Sequence, residues 1–130
     1  MAGKKQGAKA PSQRQLKMGE VIRHALSDVF LRVDIEDEDL YEVIITATEV
    51  QISPDGRNAN VFIIPLGNSD PAFISKALNR HASFLRGEIS RRVDLQFTPA
   101  LIFKADTSFD EGNHIDQILN SPKVRQDLNS

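Results

Sequence analysis

Residues 71–106 constrain the fold of this chain most, because a helical pattern breaks near their middle and then becomes extended. Asp70 before Pro71 is typical of a helix start, with the aspartate as N-cap and the proline in the first turn. The apolar positions that follow recur with the period of a helix. They are Ile74, Ala77, Leu78, His81, Leu85, Ile89 and Val93. Two consecutive helices are therefore predicted here.

The end of this segment, residues 93–105, has the alternating pattern of a strand. Leu95, Phe97, Leu101 and Phe103 share one face, and Gln96, Thr98 and Lys104 share the other. Pro99 interrupts the pattern and predicts a bulge or kink there, because proline cannot donate a hydrogen bond to a neighbouring strand.

The preceding part of the chain predicts a helix and a hairpin. Ser12 and Gln15 form a capping-box pattern that begins a helix, and the acidic residues 34–39 end it in an exposed loop. Residues 43–52 and 59–66 are rich in β-branched side chains, and the turn signal between them predicts an antiparallel hairpin. Pro65 indicates that the second strand ends there or lies at an edge. A short helix over residues 111–119 would close the fold.

Length and composition predict one domain, over residues 12–120, between flexible tails at 1–11 and 121–130. Cysteine is absent, which excludes disulfides, thiolate metal sites and cysteine nucleophiles. No apolar run is long enough to span a membrane, and the N-terminus lacks the apolar region of a signal peptide. We therefore expect a cytoplasmic protein with no membrane partner.

The net charge of −2 hides blocks of opposite sign. Residues 1–27 carry six basic residues and one acid, residues 28–55 carry nine acids and one arginine, and residues 70–104 carry six basic residues and three acids. This pattern indicates a surface that faces an anion and an acidic surface opposite it. The alternative is that the basic helical residues form only a solvated face.

Several short segments carry a family resemblance. They are VQISPD at 50–55, ANV at 59–61, FLR at 84–86, PALIF at 99–103 and SFDEG at 108–112. Their order and spacing resemble the ribosome-binding factor A family over residues 14–119. The predicted element order, α-β-β-α-(kink)-α-β, also resembles a type II KH-like domain. This is an α+β fold with helices on one face of a three-stranded sheet.

The resemblance implies a protein without catalytic activity, cofactor, metal or small-molecule substrate. It implies binding to the free or immature 30S ribosomal subunit and its 16S rRNA near the 5′ end, late maturation, cold adaptation and a monomeric state. KH domains bind nucleic acid through a Gly-x-x-Gly loop, which this chain lacks. The family replaces that loop by an Ala-x-Gly break in a helix, and residues 81–83 (HAS) align with it here.

The predicted RNA-binding residues are basic or lie at the break. They are Lys76, Arg80, His81, Ser83, Arg86, Arg91, Arg92, Lys104, Lys4, Lys5, Arg14 and Lys17. Arg86 could instead form an ion pair with Glu88 or with an acid on the hairpin. His81 could pack in the core or stabilise the kink, and Phe84 could pack in the core. Lys4 and Lys5 could be a solubilising tail.

Two other functions remain open from the sequence. One is a general module for single-stranded RNA or DNA without a ribosomal role. The other is a small metal-dependent hydrolase that would use Asp106, Asp110, Glu111 and His114. Acids at these positions could equally cap a helix N-terminus.

Overall fold

The computed structural model describes residues 10–108, which form three helices and a three-stranded sheet. The elements are α1 (Gln13–Arg32), a 3-10 helix (Glu38–Leu40), β1 (Ile45–Ile52), β2 (Asn58–Pro65), α2 (Pro71–Asn79), α3 (Ala82–Arg92) and β3 (Ala100–Ala105). This order confirms the predicted α+β fold of type II KH-like topology. The 3-10 helix within the acidic loop was not predicted.

The two helix starts obey the predicted capping chemistry. The Ser12 hydroxyl accepts a hydrogen bond from the Gln15 amide, and the Gln15 side chain accepts one from the Ser12 amide. Asp70 accepts a bond from the Ala72 amide at the start of α2, where Pro71 is the first helical residue. Both caps satisfy amides that a helix N-terminus otherwise leaves unpaired.

The sheet has the order β1-β2-β3. β1 and β2 form the predicted antiparallel hairpin, and β2 pairs with β3 in parallel, with Asn58 opposite Ala100. Pro65 ends β2, as expected, but β2 is the central strand. A proline is tolerated there because the ladder stops at that residue.

The helices cover one face of the sheet. Strand residues alternate between buried and more exposed positions, so that Val61 and Phe103 are buried while Ile102 and Lys104 are exposed. The helices contribute Ile22, Leu26, Val29, Ile74, Ala77, Leu78, Leu85 and Ile89 to the same core. None of the helices among residues 10–108 is long and apolar enough to cross a membrane.

Helix α1 lies unusually close to β1 at Gly19. A Cβ atom at this glycine would lie 2.5 Å from the carbonyl oxygen of Val50, well inside contact distance. Glycine therefore lets the helix backbone approach the strand directly. The Gln15 side chain supports the same contact, since its Nε2 donates to the carbonyl oxygen of Ile52 at 3.0 Å.

The last strand is shorter than the sequence pattern predicted. β3 begins at Ala100, and residues 93–99 precede it without strand pairing. Pro99 is fully buried just before the strand, where its missing N–H breaks no ladder bond. The predicted apolar face is also wrong at one position, because Phe97 is 50% exposed. The alternation of apolar and polar residues extends over residues 93–99, although these residues do not pair with the sheet.

The predicted helix at 111–119 and the tail at 121–130 lie outside the described residues. The same holds for the tail at 1–11, apart from its last two residues. The domain boundaries 12–120 therefore stay a prediction.

Candidate nucleic-acid interface

The helical break is confirmed, but it lies slightly before the predicted position. α2 ends at Asn79, Arg80 is its C-cap, and His81 precedes α3 with φ −115° and ψ 20°. Ser83 is the second residue of α3. The only non-glycine residue among 10–108 with positive φ is Glu42. Serine at position 83 therefore needs no left-handed conformation, and a glycine is not required for this break.

The break is bound to the acidic loop by a cluster of charged side chains. Asp37 lies 2.7 Å from His81 Nε2 and 2.8 Å from Arg80 Nη2, and the same arginine nitrogen lies 2.8 Å from Asp39. The His81 and Arg80 hydrogen bonds lower the pKa of Asp37 from 3.8 to about 2. The acidic loop was predicted only to be exposed, but it also compensates the charge of Arg80.

The basic residues at the end of α3 are also paired with acids. Glu88 contacts Arg91 at 2.5 Å and Arg92 at 2.7 Å, and Arg92 reaches Asp28 of α1 at 3.1 Å. Hydrogen bonds from Arg91 and Arg92 lower the pKa of Glu88. The basic helical residues predicted to bind RNA thus lose much of their net charge at these positions.

Arg86 has different partners from its neighbours. Its Nε donates to the carbonyl oxygen of Thr98 at 2.7 Å, and its guanidinium carbon lies 5.2 Å from the centre of the Phe97 ring. This is cation–π distance. The alternative ion pair with Glu88 is wrong, since no acid among residues 10–108 contacts Arg86. Arg86 therefore keeps an uncompensated charge in a fixed position.

Lys76 and Lys104 lie at the β3 edge of the sheet. Asn79 Nδ2 donates to the carbonyl oxygen of Phe103 at 3.0 Å, and the Phe103 amide donates to Asn79 Oδ1 at 2.7 Å. Lys76 is one helical turn before Asn79, and Lys104 follows Phe103 on the exposed face of β3, so both lysines belong to elements at this edge of the sheet. Both are exposed, and neither forms a salt bridge within the described part of the chain.

Arg14 and Lys17 lie elsewhere, on the first turns of α1 beside the opposite edge strand, β1. Both are exposed, and no acid within the described range forms a salt bridge with them. Lys4 and Lys5 lie outside the described residues. The described members of the predicted set therefore separate into acid-paired cations at the break and at the end of α3, unpaired lysines and an arginine at two edges of the sheet, and the unpaired Arg86 within α3.

Sequence reasoning missed two residues and misjudged a third. Arg57 is exposed in the hairpin turn, where its carbonyl oxygen accepts a bond from the Ala100 amide. Phe97 is exposed under Arg86, and Phe84, considered as a core residue, is 43% exposed. A charged residue in a short turn could have been noticed. No signal in the sequence distinguishes the exposed Phe97 from the buried apolar residues of a strand.

Of the residues considered for a metal site, only Asp106 lies among the described residues. The Asp106 carboxylate accepts hydrogen bonds from the hydroxyls of Thr48 and Ser108. No group of three or more potential metal ligands occurs between residues 10 and 108. Asp110, Glu111 and His114 lie outside that range.

Known proteins are similar to this chain over most of its length. The family model described as Ribosome-binding factor A matches residues 14–119. A ribosome-binding factor A from Paramagnetospirillum magneticum is 54% identical over 122 residues, covering 94% of this chain and 86% of the relative. One from Maricaulis maris is 49% identical over 123 residues, covering 95% and 87%.

Two solved structures share the fold. The crystal structure of ribosome-binding factor A from Thermus thermophilus has a TM-score of 0.57 and 23% identity, covering 70% of this chain and 94% of that one. A homology model of the Thermus thermophilus factor, fitted into the cryo-electron microscopy map of a 30S complex, has a TM-score of 0.53 and 24% identity, covering 67% and 89%. With the family match over nearly all the described residues, these findings show that the chain belongs to the ribosome-binding factor A family.

Proposed function

We propose that this chain binds the free or immature 30S ribosomal subunit and assists the late maturation of 16S rRNA near its 5′ end, including at low temperature. The observation that carries the proposal is the family match over residues 14–119. The relative from Thermus thermophilus that was fitted into a 30S complex supports the choice of partner.

We infer the RNA contacts from the basic side chains that form no salt bridge with an acid in the described part of the chain. Lys76 and Lys104 at the β3 edge and Arg86 beside Phe97 can each neutralise a phosphate and release a counterion. Arg14 and Lys17 would contact a second stretch of backbone near β1. Arg80, His81, Arg91 and Arg92 contribute less to phosphate binding, because acids pair with the three arginines and Asp37 contacts His81. Ser83 carries no charge and would not neutralise a phosphate.

The mode of action we propose is binding without catalysis, by a monomer in the cytoplasm. A polyanion held by lysines and arginines needs no cofactor or small-molecule substrate. Lys4 and Lys5 would add charge to this interface, and their contribution remains a prediction. Growth of a deletion strain in the cold, with measurement of 16S precursors, tests the maturation role.

Sedimentation with purified ribosomal particles tests the partner. The wild-type protein is expected to travel with free 30S subunits and much less with complete ribosomes. The double variant Lys76→Gln, Lys104→Gln should weaken the 30S association and reduce the slope of log affinity against log salt by about 1 per lost phosphate contact.

The matched control removes the same charge from arginines that acids already hold. Arg23 is paired with Glu20 and Arg32 with Asp28, both on α1. The double variant Arg23→Gln, Arg32→Gln should keep the wild-type salt slope. Equal loss in both double variants would show that only net charge matters. A wild-type protein that stays at the top of a low-salt gradient would favour the general nucleic-acid module.

A further inference from the structure

We propose that the cleft between α3 and residues 95–98 binds an unpaired nucleobase, which stacks on Phe97 while Arg86 holds the adjoining phosphate. This inference rests on the proposed function, since it names a contact made within a bound RNA. Nothing in the RNA-binding prediction assigned Phe97, which the sequence placed on the buried face of a strand.

The cleft is open and has mixed chemistry. Its volume is about 450 Å³, and it is lined by Ser83, Arg86, Gly87, Ser90, Leu95, Gln96, Phe97 and Thr98. This volume lies within the usual range for ligand sites. A Cβ atom added to Gly87 would meet no atom nearer than 4.0 Å, so a ligand can approach the α3 backbone there.

Phe97 is an exposed aromatic ring on a fixed support. The next residue, Thr98, is buried and accepts the Arg86 Nε bond at its carbonyl and the Ser90 hydroxyl bond at Oγ1, the latter at 2.8 Å. Pro99 is fully buried and restricts the backbone further. The ring is nevertheless 50% exposed, with the Arg86 guanidinium over one face, so a base would stack on the part of the ring that the arginine leaves open.

Arg86 supplies the anion-binding half of the site. Its Nε is used by the Thr98 carbonyl, and no acid in the described range contacts its terminal nitrogens. Those nitrogens can donate to a phosphate, while the guanidinium carbon lies over the Phe97 ring at 5.2 Å from its centre. Ser83 and Gln96 add polar side chains that can bond to base edges.

This combination fits a base in single-stranded RNA better than a paired one. A base within a helix has both faces covered by its neighbours, whereas an unpaired base can place one face on an aromatic ring. Stacking of this kind tolerates any base and changes affinity by roughly tenfold per contact. The cleft would therefore recognise that a nucleotide is unpaired rather than which base it carries.

The absence of tryptophan from the chain allows a direct test. Phe97→Trp in the full-length protein introduces one indole at the proposed stacking position. Phe73→Trp is the matched control, because Phe73 is also 50% exposed but lies on α2, outside the cleft. Both variants are titrated with a short oligouridylate and with an abasic oligomer of the same length and charge.

The oligouridylate should quench the indole at position 97 and leave the one at 73 nearly unchanged, and the abasic oligomer should quench neither. Phe97→Ala should weaken oligouridylate binding roughly tenfold, measured by anisotropy, and leave abasic binding unaltered. A thermal melt and the Phe97→Leu variant control for folding, and Phe97→Leu should bind like Phe97→Ala.

Failure of the stacking site can be distinguished from failure of the proposed function. If the wild-type protein binds 30S subunits, while abasic and base-containing oligomers bind equally and no quenching occurs at position 97, the stacking proposal is overturned and the ribosomal function stands. If quenching occurs but 30S subunits are not bound, the proposed function fails while the cleft remains a base-binding site. Equal quenching at positions 73 and 97 would also overturn the assignment of the cleft.

Discussion

Two helical glycines of this protein should respond to alanine in opposite directions. In Gly19→Ala, the new methyl group would meet the Val50 carbonyl oxygen at 2.5 Å, whereas ordinary contact begins at about 3.4 Å. The oxygen belongs to a paired strand that cannot simply swing away. Such overpacking costs about 1–3 kcal/mol. The higher helix propensity of alanine offsets this cost by stabilising the folded state by about 1 kcal/mol.

The net expectation for Gly19→Ala is a destabilisation of about 1–2 kcal/mol, taking the upper part of the overpacking range because the clash is with backbone. In a domain of this size, each kcal/mol shifts the melting temperature by roughly 4–8 °C. Gly87→Ala places its methyl group in open space within α3, 4.0 Å from the nearest atom, so only the propensity gain applies. It should raise the melting temperature by roughly 4–8 °C.

Thermal and urea unfolding followed by circular dichroism measure both variants under one set of conditions. A destabilised Gly19→Ala and a stabilised Gly87→Ala would support the close approach of α1 to β1. If Gly19→Ala were as stable as the wild type, the reasoning would be refuted, because a methyl group could then fit between the helix and the strand. If both variants were equally destabilised, helix propensity would not explain the stability of the Gly87→Ala variant.

Two further predictions concern contacts that join distant parts of the chain. Asn79→Ala removes both hydrogen bonds to the Phe103 main chain, so we expect the free energy of unfolding to fall by about 1–3 kcal/mol. Hydrogen exchange at the Phe103 amide should become faster, and unchanged exchange would contradict the prediction. Asp37→Asn should destabilise the protein near neutral pH. Because His81 and Arg80 lower the pKa of Asp37 to about 2, the wild-type advantage should be complete above about pH 4 and disappear towards about pH 2 in denaturation experiments. An advantage that persisted at the acid end of this range would contradict the assignment.

The sequence predicted those features that depend on near neighbours along the chain. Ser12 and Asp70 cap helices because their side chains reach amides only two or three residues away. The hairpin followed from a short turn between two β-branched segments. In each case the interacting groups lie close in sequence, so a local pattern contains the necessary information.

Contacts between distant residues could not be predicted in this way. Nothing around Arg80 shows that Asp37 will compensate its charge, because the two lie on separate elements that meet only in the fold. The same is true of Arg92 and Asp28. Phe97 shows the converse error, since an alternating pattern predicted burial for a ring that the Thr98 contacts hold outside the sheet.

The parallel pairing of β2 with β3 has a consequence for how this protein is made. During synthesis the N-terminal elements emerge first, and α1 with the β1-β2 hairpin can form contacts at once. Helix α2 packs mainly against β3, and α3 packs against both β3 and α1. The strand β3 is translated after both helices. Until that strand appears, one edge of β2 has no partner, and such an edge can pair with another chain. The nascent protein should therefore pass through a stage in which two of the three strands are paired and the open edge of β2 is most in need of chaperone protection.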